Sequence, residues 1–159
     1  MPDIELQLSV ENLLARYVHA IDEDRLEDWP GFFVEQGIYR IVTAENLARG
    51  LPLPIMLAES RAMLRDRVNS LRRANIYEAQ RYRHAVSSTL IDRIDSVRVR
   101  ATSNFIVIRV MHSGESSVFA SGRYLDRVLL QGDGGQPQFE ERVVVLDSRA
   151  VDTLLAIPL

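Results

Sequence analysis

The sequence predicts an α+β domain in which N-terminal helices pack on a strongly curved, mostly antiparallel sheet. Three observations carry that expectation. Apolar residues recur at three- and four-residue steps through the first half of the chain; the period falls to two after residue 80; and the later segments are separated by tight turns rather than crossover helices. The 159 residues, 47% hydrophobic and 26% charged, fit one domain, residues 1–159, with a core of its own. Three helices against such a sheet give a cone with an interior cavity, a shape that hosts both enzymes and inert scaffolds.

Leu6, Val10, Leu13, Leu14, Tyr17 and Ile21 stripe one face of a helix over residues 3–22. Asp22-Glu23-Asp24 suits the start of a second, short helix, whose Leu26, Trp29 and Phe33 face inward and whose Pro30 belongs in the first turns. Gly37 is expected to end it, before a short strand at 38–42. The Gly50-Leu51-Pro52-Leu53-Pro54 loop leads into a third helix at 55–73, with Leu57, Leu64, Val68 and Leu71 as its stripe and Arg72-Arg73 at its negative end.

Past residue 80, Tyr82, His84, Val86 and Leu90 alternate with Arg81, Arg83 and Ala85. Val97, Val99, Ala101, Ser103, Phe105 and Val107 share one face of a long strand. Its other face is polar from Arg98 to Asn104 and apolar at Ile106, Ile108 and Val110, so its second half is expected to be covered on both sides, by helices or another subunit. A turn at His112-Ser113-Gly114-Glu115, a strand at 118–130, a hairpin loop at Gln131-Gly132-Asp133-Gly134-Gly135 and a last strand at 139–146 complete the sheet. The tail, Thr153-Leu154-Leu155-Ala156-Ile157-Pro158-Leu159, carries no charged side chain. It is expected to dock as an extended segment, on its own sheet or a neighbouring subunit.

Composition excludes several chemistries. The chain has no cysteine, which removes disulfides, thiolate nucleophiles, Cys-ligated zinc and Cys-held iron–sulfur clusters. Its cations are nineteen arginines and no lysine, and the net charge of −3 gives no electrostatic footprint for nucleic acid or an anionic membrane. There is no signal-peptide pattern at the start and no bilayer-length apolar run, so a soluble, cytoplasmic protein is expected. His19, His84 and His112 are scattered, share no metal-ligand spacing, and read as surface or hydrogen-bonded histidines. The Gly132–Gly135 run opens no helix and so reads as a hairpin rather than a phosphate cradle, and no serine sits in a Gly-x-Ser-x-Gly elbow.

The remaining candidates are polar residues that the cone would enclose: Tyr17, Asp22, Tyr39, His84 and Asp126. A desolvated carboxylate or imidazole among them could act as a general base. The competing reading makes Tyr17 and Tyr39 core aromatics with solvated or paired hydroxyls and Asp22 part of a helix-to-helix turn.

The ordered set of motifs resembles the small (β) subunits of bacterial aromatic-ring-hydroxylating, Rieske-type dioxygenases, over nearly the whole chain. It runs through Tyr17 to Ile21-Asp22, Trp29-Pro30-x-Phe32-Phe33, Gly37-Ile38-Tyr39, Glu45-Asn46 and Arg49-Gly50-Leu51-Pro52-Leu53. Glu59-Ser60, Met63-Leu64-x-Asp66-Arg67-Val68, Ala74-Asn75-Ile76-Tyr77-Glu78 and Tyr82-Arg83-His84 follow. Phe119-Ala120-Ser121-Gly122-Arg123-Tyr124-x-Asp126, Val145-x-Asp147-Ser148 and the tail from Asp152 complete it. The middle and end look most like subunits acting on carboxylated rings, such as those of terephthalate dioxygenase and salicylate hydroxylase.

The resemblance implies a cystatin/NTF2-like cone and a structural role in aromatic catabolism, with a large α subunit and further copies of this chain as partners in a trimer of α–β pairs, and it favours a neighbouring subunit as the place where the tail docks. The Rieske [2Fe-2S] cluster and the mononuclear iron are then expected in the α subunit, and no catalytic, cofactor-binding or metal-ligating residue in this chain. Two other classes stay open: a stand-alone dehydratase, isomerase or cyclase of the same fold, using Asp22, Tyr39 or His84, and a ligand-binding cone without catalysis.

Overall fold

Helix α1 (Ile4–Asp22) begins where the Asp3 carboxylate accepts the Leu6 N–H at 3.1 Å, satisfying one of the free donors of the first turn. Its apolar stripe, from Val10 to Ile21, is buried, as the periodicity predicts. A 3-10 turn follows at Leu26–Phe32, with Leu26, Trp29 and Phe32 inward and Pro30 inside it. The computed structural model describes residues 3–51, 53–74, 79–149 and 157–159. Pro52, Asn75 to Glu78 and the tail from Asp152 to Ala156, all part of the motif set above, lie outside the described residues.

Strand β1 (Phe33–Thr43) starts directly after the 3-10 turn. Gly37 therefore does not end a helix: it lies within the strand, where the pairing of β1 with the last strand is irregular between Phe33 and Ile38. A Cβ there would sit 2.8 Å from that of Phe33, so the tight backbone selects glycine. Two elements escaped the sequence reading: the one-turn helix α2 (Ala44–Ala48), capped by the Thr43 hydroxyl, and strand β2 (Met56–Ala58). Helix α3 runs over Arg61–Ala74, shorter than expected at its start because residues 56–58 pair antiparallel with β1. Leu64 and Val68 are buried, whereas Leu57 is a half-exposed strand residue.

The sheet is completed by β3 (Gln80–Arg93), β4 (Arg98–Met111), β5 (Ser116–Leu129) and β6 (Gln138–Leu146), in the order β2-β1-β6-β5-β4-β3. Every pairing is antiparallel except β1 with β6, which is parallel. One face, carrying Val99, Ala101, Phe105, Val107, Tyr124, Val128 and Val144, joins α1, α3 and the 3-10 turn in a continuous core. On the other face α2 covers a small cluster of Val42, Val143 and Val145.

The period of two breaks at bulges. Between Ser87 and Leu90 the β3 register shifts, Ser88 takes φ +57°, and Leu90 turns outward to 70% exposure while Ile91 faces in. The expected two-sided burial of β4 is not met within this chain. Ile106 is 47% exposed, Ile108 and Val110 are only partly covered, and their neighbour Val118 is 66% exposed.

Arg72, in the last turn of α3, clamps the link after α1. It donates to Asp24 Oδ1 and Oδ2 at 2.9 Å, to the Asp24 carbonyl at 2.7 Å and to both Glu27 carboxylate oxygens at 2.7 and 3.0 Å. Those bonds hold the Glu27 carboxyl down at about 2, from an ordinary 4.5. A depressed carboxylate stabilises the fold above its unfolded pKa, and the gain is lost as pH falls from 4.5 towards 2. The pair is solvent-screened, so the loss is about 1 kcal/mol or less. Urea melts of the native chain and Arg72→Ala should differ near neutrality and converge at low pH; an unchanging difference would exclude the clamp.

Candidate functional site

All five polar candidates lie in or against the interior, in three groups. The first joins α1 to β3. His84 Nδ1 lies 2.6 Å from Asp22 Oδ1, and the His84 N–H donates to Asp22 Oδ2 at 2.9 Å. A carboxylate accepts only, so the ring proton sits on Nδ1. Nε2 is buried with no hydrogen-bond partner among the described residues, and both side chains are nearly inaccessible. This is the geometry of an imidazole oriented for proton transfer.

The second group spans β5 and β6. Arg142 donates through Nε and Nη2 to the two Asp126 oxygens, at 2.8 and 2.7 Å, with both side chains fully buried. Its guanidinium carbon lies 3.8 Å from the Tyr124 ring centroid, 4.2 Å from Phe139 and 4.3 Å from Tyr17. Burial raises the Asp126 carboxyl while Arg142 pulls it down. Desolvation opposes the Arg142 charge, but Asp126 more than offsets this and raises its pKa. Asp126 is thus a bidentate partner with both oxygens committed, not a free base.

The third group holds the chain's own C-terminal residues. Trp29 Nε1 donates to the Tyr17 hydroxyl at 2.9 Å, and Tyr17 donates to the Leu159 main-chain oxygen at 2.9 Å. Tyr39 donates to that same oxygen at 3.0 Å and accepts the Leu159 N–H at 2.9 Å. Burial raises both phenols above their ordinary value, so they remain protonated donors. Leu159 is completely buried and Ile157 and Pro158 nearly so. The tail's end therefore docks within its own chain rather than on a neighbouring subunit, and it takes the space between the two tyrosines.

Sequence reasoning missed Arg142, Tyr124 and Leu159 as partners. Arg142 turns inward because β5 and β6 shift register between Arg127 and Val128: Glu140 and Glu141 both face out, Glu140 binding Arg98 and Arg127, and the next residue faces in. His19 is exposed, and no group of three His, Cys, Asp or Glu side chains among the described residues could hold a metal ion. A surface cleft of about 710 Å³ runs past Asp22, Arg72, Tyr82 and Ile157. Among the described residues no helix is long and apolar enough to cross a membrane.

Residues 2–135 match the SnoaL-like domain family. Subunit β1 of the terminal oxygenase component of terephthalate 1,2-dioxygenase from Comamonas sp is 43% identical over 155 residues, spanning 98% of each chain. The small subunit of anthranilate 1,2-dioxygenase from Burkholderia cepacia is 40% identical over 157 residues, covering 99% of this chain and 96% of that one. The crystal structure of a β subunit assigned to an aromatic-ring-hydroxylating dioxygenase of Novosphingobium aromaticivorans superposes with a TM-score of 0.87, at 32% identity and 97% coverage of both chains.

Proposed function

Since this chain belongs to the β subunits of the aromatic-ring-hydroxylating dioxygenases, which are built on a SnoaL-like domain, we propose that it is their non-catalytic assembly subunit, with no catalytic, cofactor-binding or metal-ligating residue of its own. The observation that carries this reading is that the interior polar groups are engaged within the chain: Leu159 takes up Tyr17 and Tyr39, and Arg142 takes up Asp126. A chain without cysteine cannot supply the thiolates of a Rieske cluster. On this reading, which follows the family, the [2Fe-2S] cluster and the mononuclear iron belong to a large α subunit, where they would supply electron transfer and dioxygen activation.

The terephthalate and anthranilate relatives support a carboxylated aromatic ring as substrate. The half-exposed apolar strip of Ile106, Ile108, Val110 and Val118 supports contact with a partner. A trimer of α–β pairs in the cytoplasm, where reduced nicotinamide is at hand, completes the proposal, with residues 1–159 as one domain.

The test is reconstitution. Hydroxylation of a carboxylated ring is expected only when this chain is combined with a large subunit, a reductase and reduced nicotinamide, and the chain alone should bind no stoichiometric iron. A second reading, a stand-alone dehydratase, isomerase or cyclase, draws on the Asp22–His84 pair alone. Turnover by the isolated chain that is lost in His84→Ala would establish it and sink the first.

A further inference from the structure

We propose that the pocket seating Leu159 is a binding site for an N-acylated, branched-chain amino-acid end, which the chain fills with its own residues 157–159. The inference goes beyond the assembly role and concerns this chain alone.

The polar groups of the pocket define the ligand class. Two phenol hydroxyls converge on one oxygen, at 2.9 and 3.0 Å, and one of them also accepts an N–H of the same residue at 2.9 Å. Tyr17 and Tyr39 are both fully buried, and Trp29 Nε1 fixes the Tyr17 hydroxyl so that its own proton points at the ligand oxygen. A bare hydrocarbon would leave both phenols without an acceptor, a heavy cost in a buried site. A simple carboxylate would satisfy the two donors but offer no N–H to Tyr39. An acylated amino acid supplies oxygen, N–H and an apolar side chain together, as Leu159 does within the core formed by Trp29, Phe33 and Tyr39.

The tail suits the role of tethered ligand. Pro158 fixes its own φ and narrows the backbone range open to Ile157 before it, so less freedom is lost on seating.

The chain lacking residues 157–159 is titrated with N-acetyl-Ile-Pro-Leu by calorimetry, with the full chain and benzoate as parallel arms. The shortened chain should bind the peptide and melt higher in its presence, and the full chain should take up none because its site is filled. Tyr39→Phe in the shortened chain should weaken binding by at least about tenfold, because its hydroxyl makes two buried hydrogen bonds to the ligand. A folded shortened chain that ignores the peptide would overturn the proposal. So would benzoate binding as tight as the peptide's, or equal uptake by the full chain. If the shortened chain does not fold, it is refolded in the peptide: recovery of its near-ultraviolet circular dichroism supports the site, and failure to recover it overturns the site.

Discussion

Asp126→Ala is expected to destabilise the chain by about 3–5 kcal/mol, because it strands a guanidinium in the interior. Arg142 is fully buried, and its Nε and Nη2 hydrogen bonds both go to Asp126. The rings of Tyr124, Phe139 and Tyr17 stack round it and favour its charge, but a ring face offers no acceptor comparable to a carboxylate. Replacing both partners with apolar residues, as in Asp126→Leu with Arg142→Met, removes the desolvation penalty with the attraction and should recover most of the loss. Urea denaturation of the two variants checks this. An Asp126→Ala midpoint equal to that of the native chain would show that Arg142 finds another partner.

Gly122→Ala should cost about 3 kcal/mol, at the upper end for overpacking a core. Gly122 pairs with Leu146 across β5 and β6, and a Cβ on it would lie 1.8 Å from the Val145 carbonyl oxygen and 2.9 Å from the carbonyl carbon. Both atoms are backbone in a central strand, so relief requires moving β6 itself, with Arg142 and Val144 on it. Gly31→Ala, where nothing lies within 4 Å, is the control and should leave the melting temperature almost unchanged. If both variants melt like the native chain, the close approach of β5 and β6 at this point is wrong.

How much of this was legible in the sequence follows from which features are periodic. The stripe of α1 and the inward face of β4 from Val99 to Val107 could be read directly, because an unbroken helix or strand keeps its period. Leu90 and Arg142 could not: each follows a bulge, and one inserted residue reverses which side chains face the core. Helix α2 and strand β2 are too short for any period to emerge. At the site, Tyr17, Asp22, Tyr39, His84 and Asp126 are candidates from residue type alone, but the residues that engage them lie up to 142 positions away, and spacing carries no information about such contacts. The tail's apolar character predicted docking; only the tyrosine hydroxyls identify where.

The position of β6 also constrains how the polypeptide is made. It lies between β1 and β5, the only parallel pairing in the described sheet, joining Ile38 to Glu141. During synthesis, at roughly 5–20 residues per second, the β3–β5 meander can form as soon as it leaves the ribosome, because its partners are neighbours in sequence. Strand β1 emerges long before its partner and must wait with one edge unpaired. The nascent chain therefore passes through a stage in which β1 and β5 are two open edges awaiting one strand. That stage is when pairing with another polypeptide competes with correct closure.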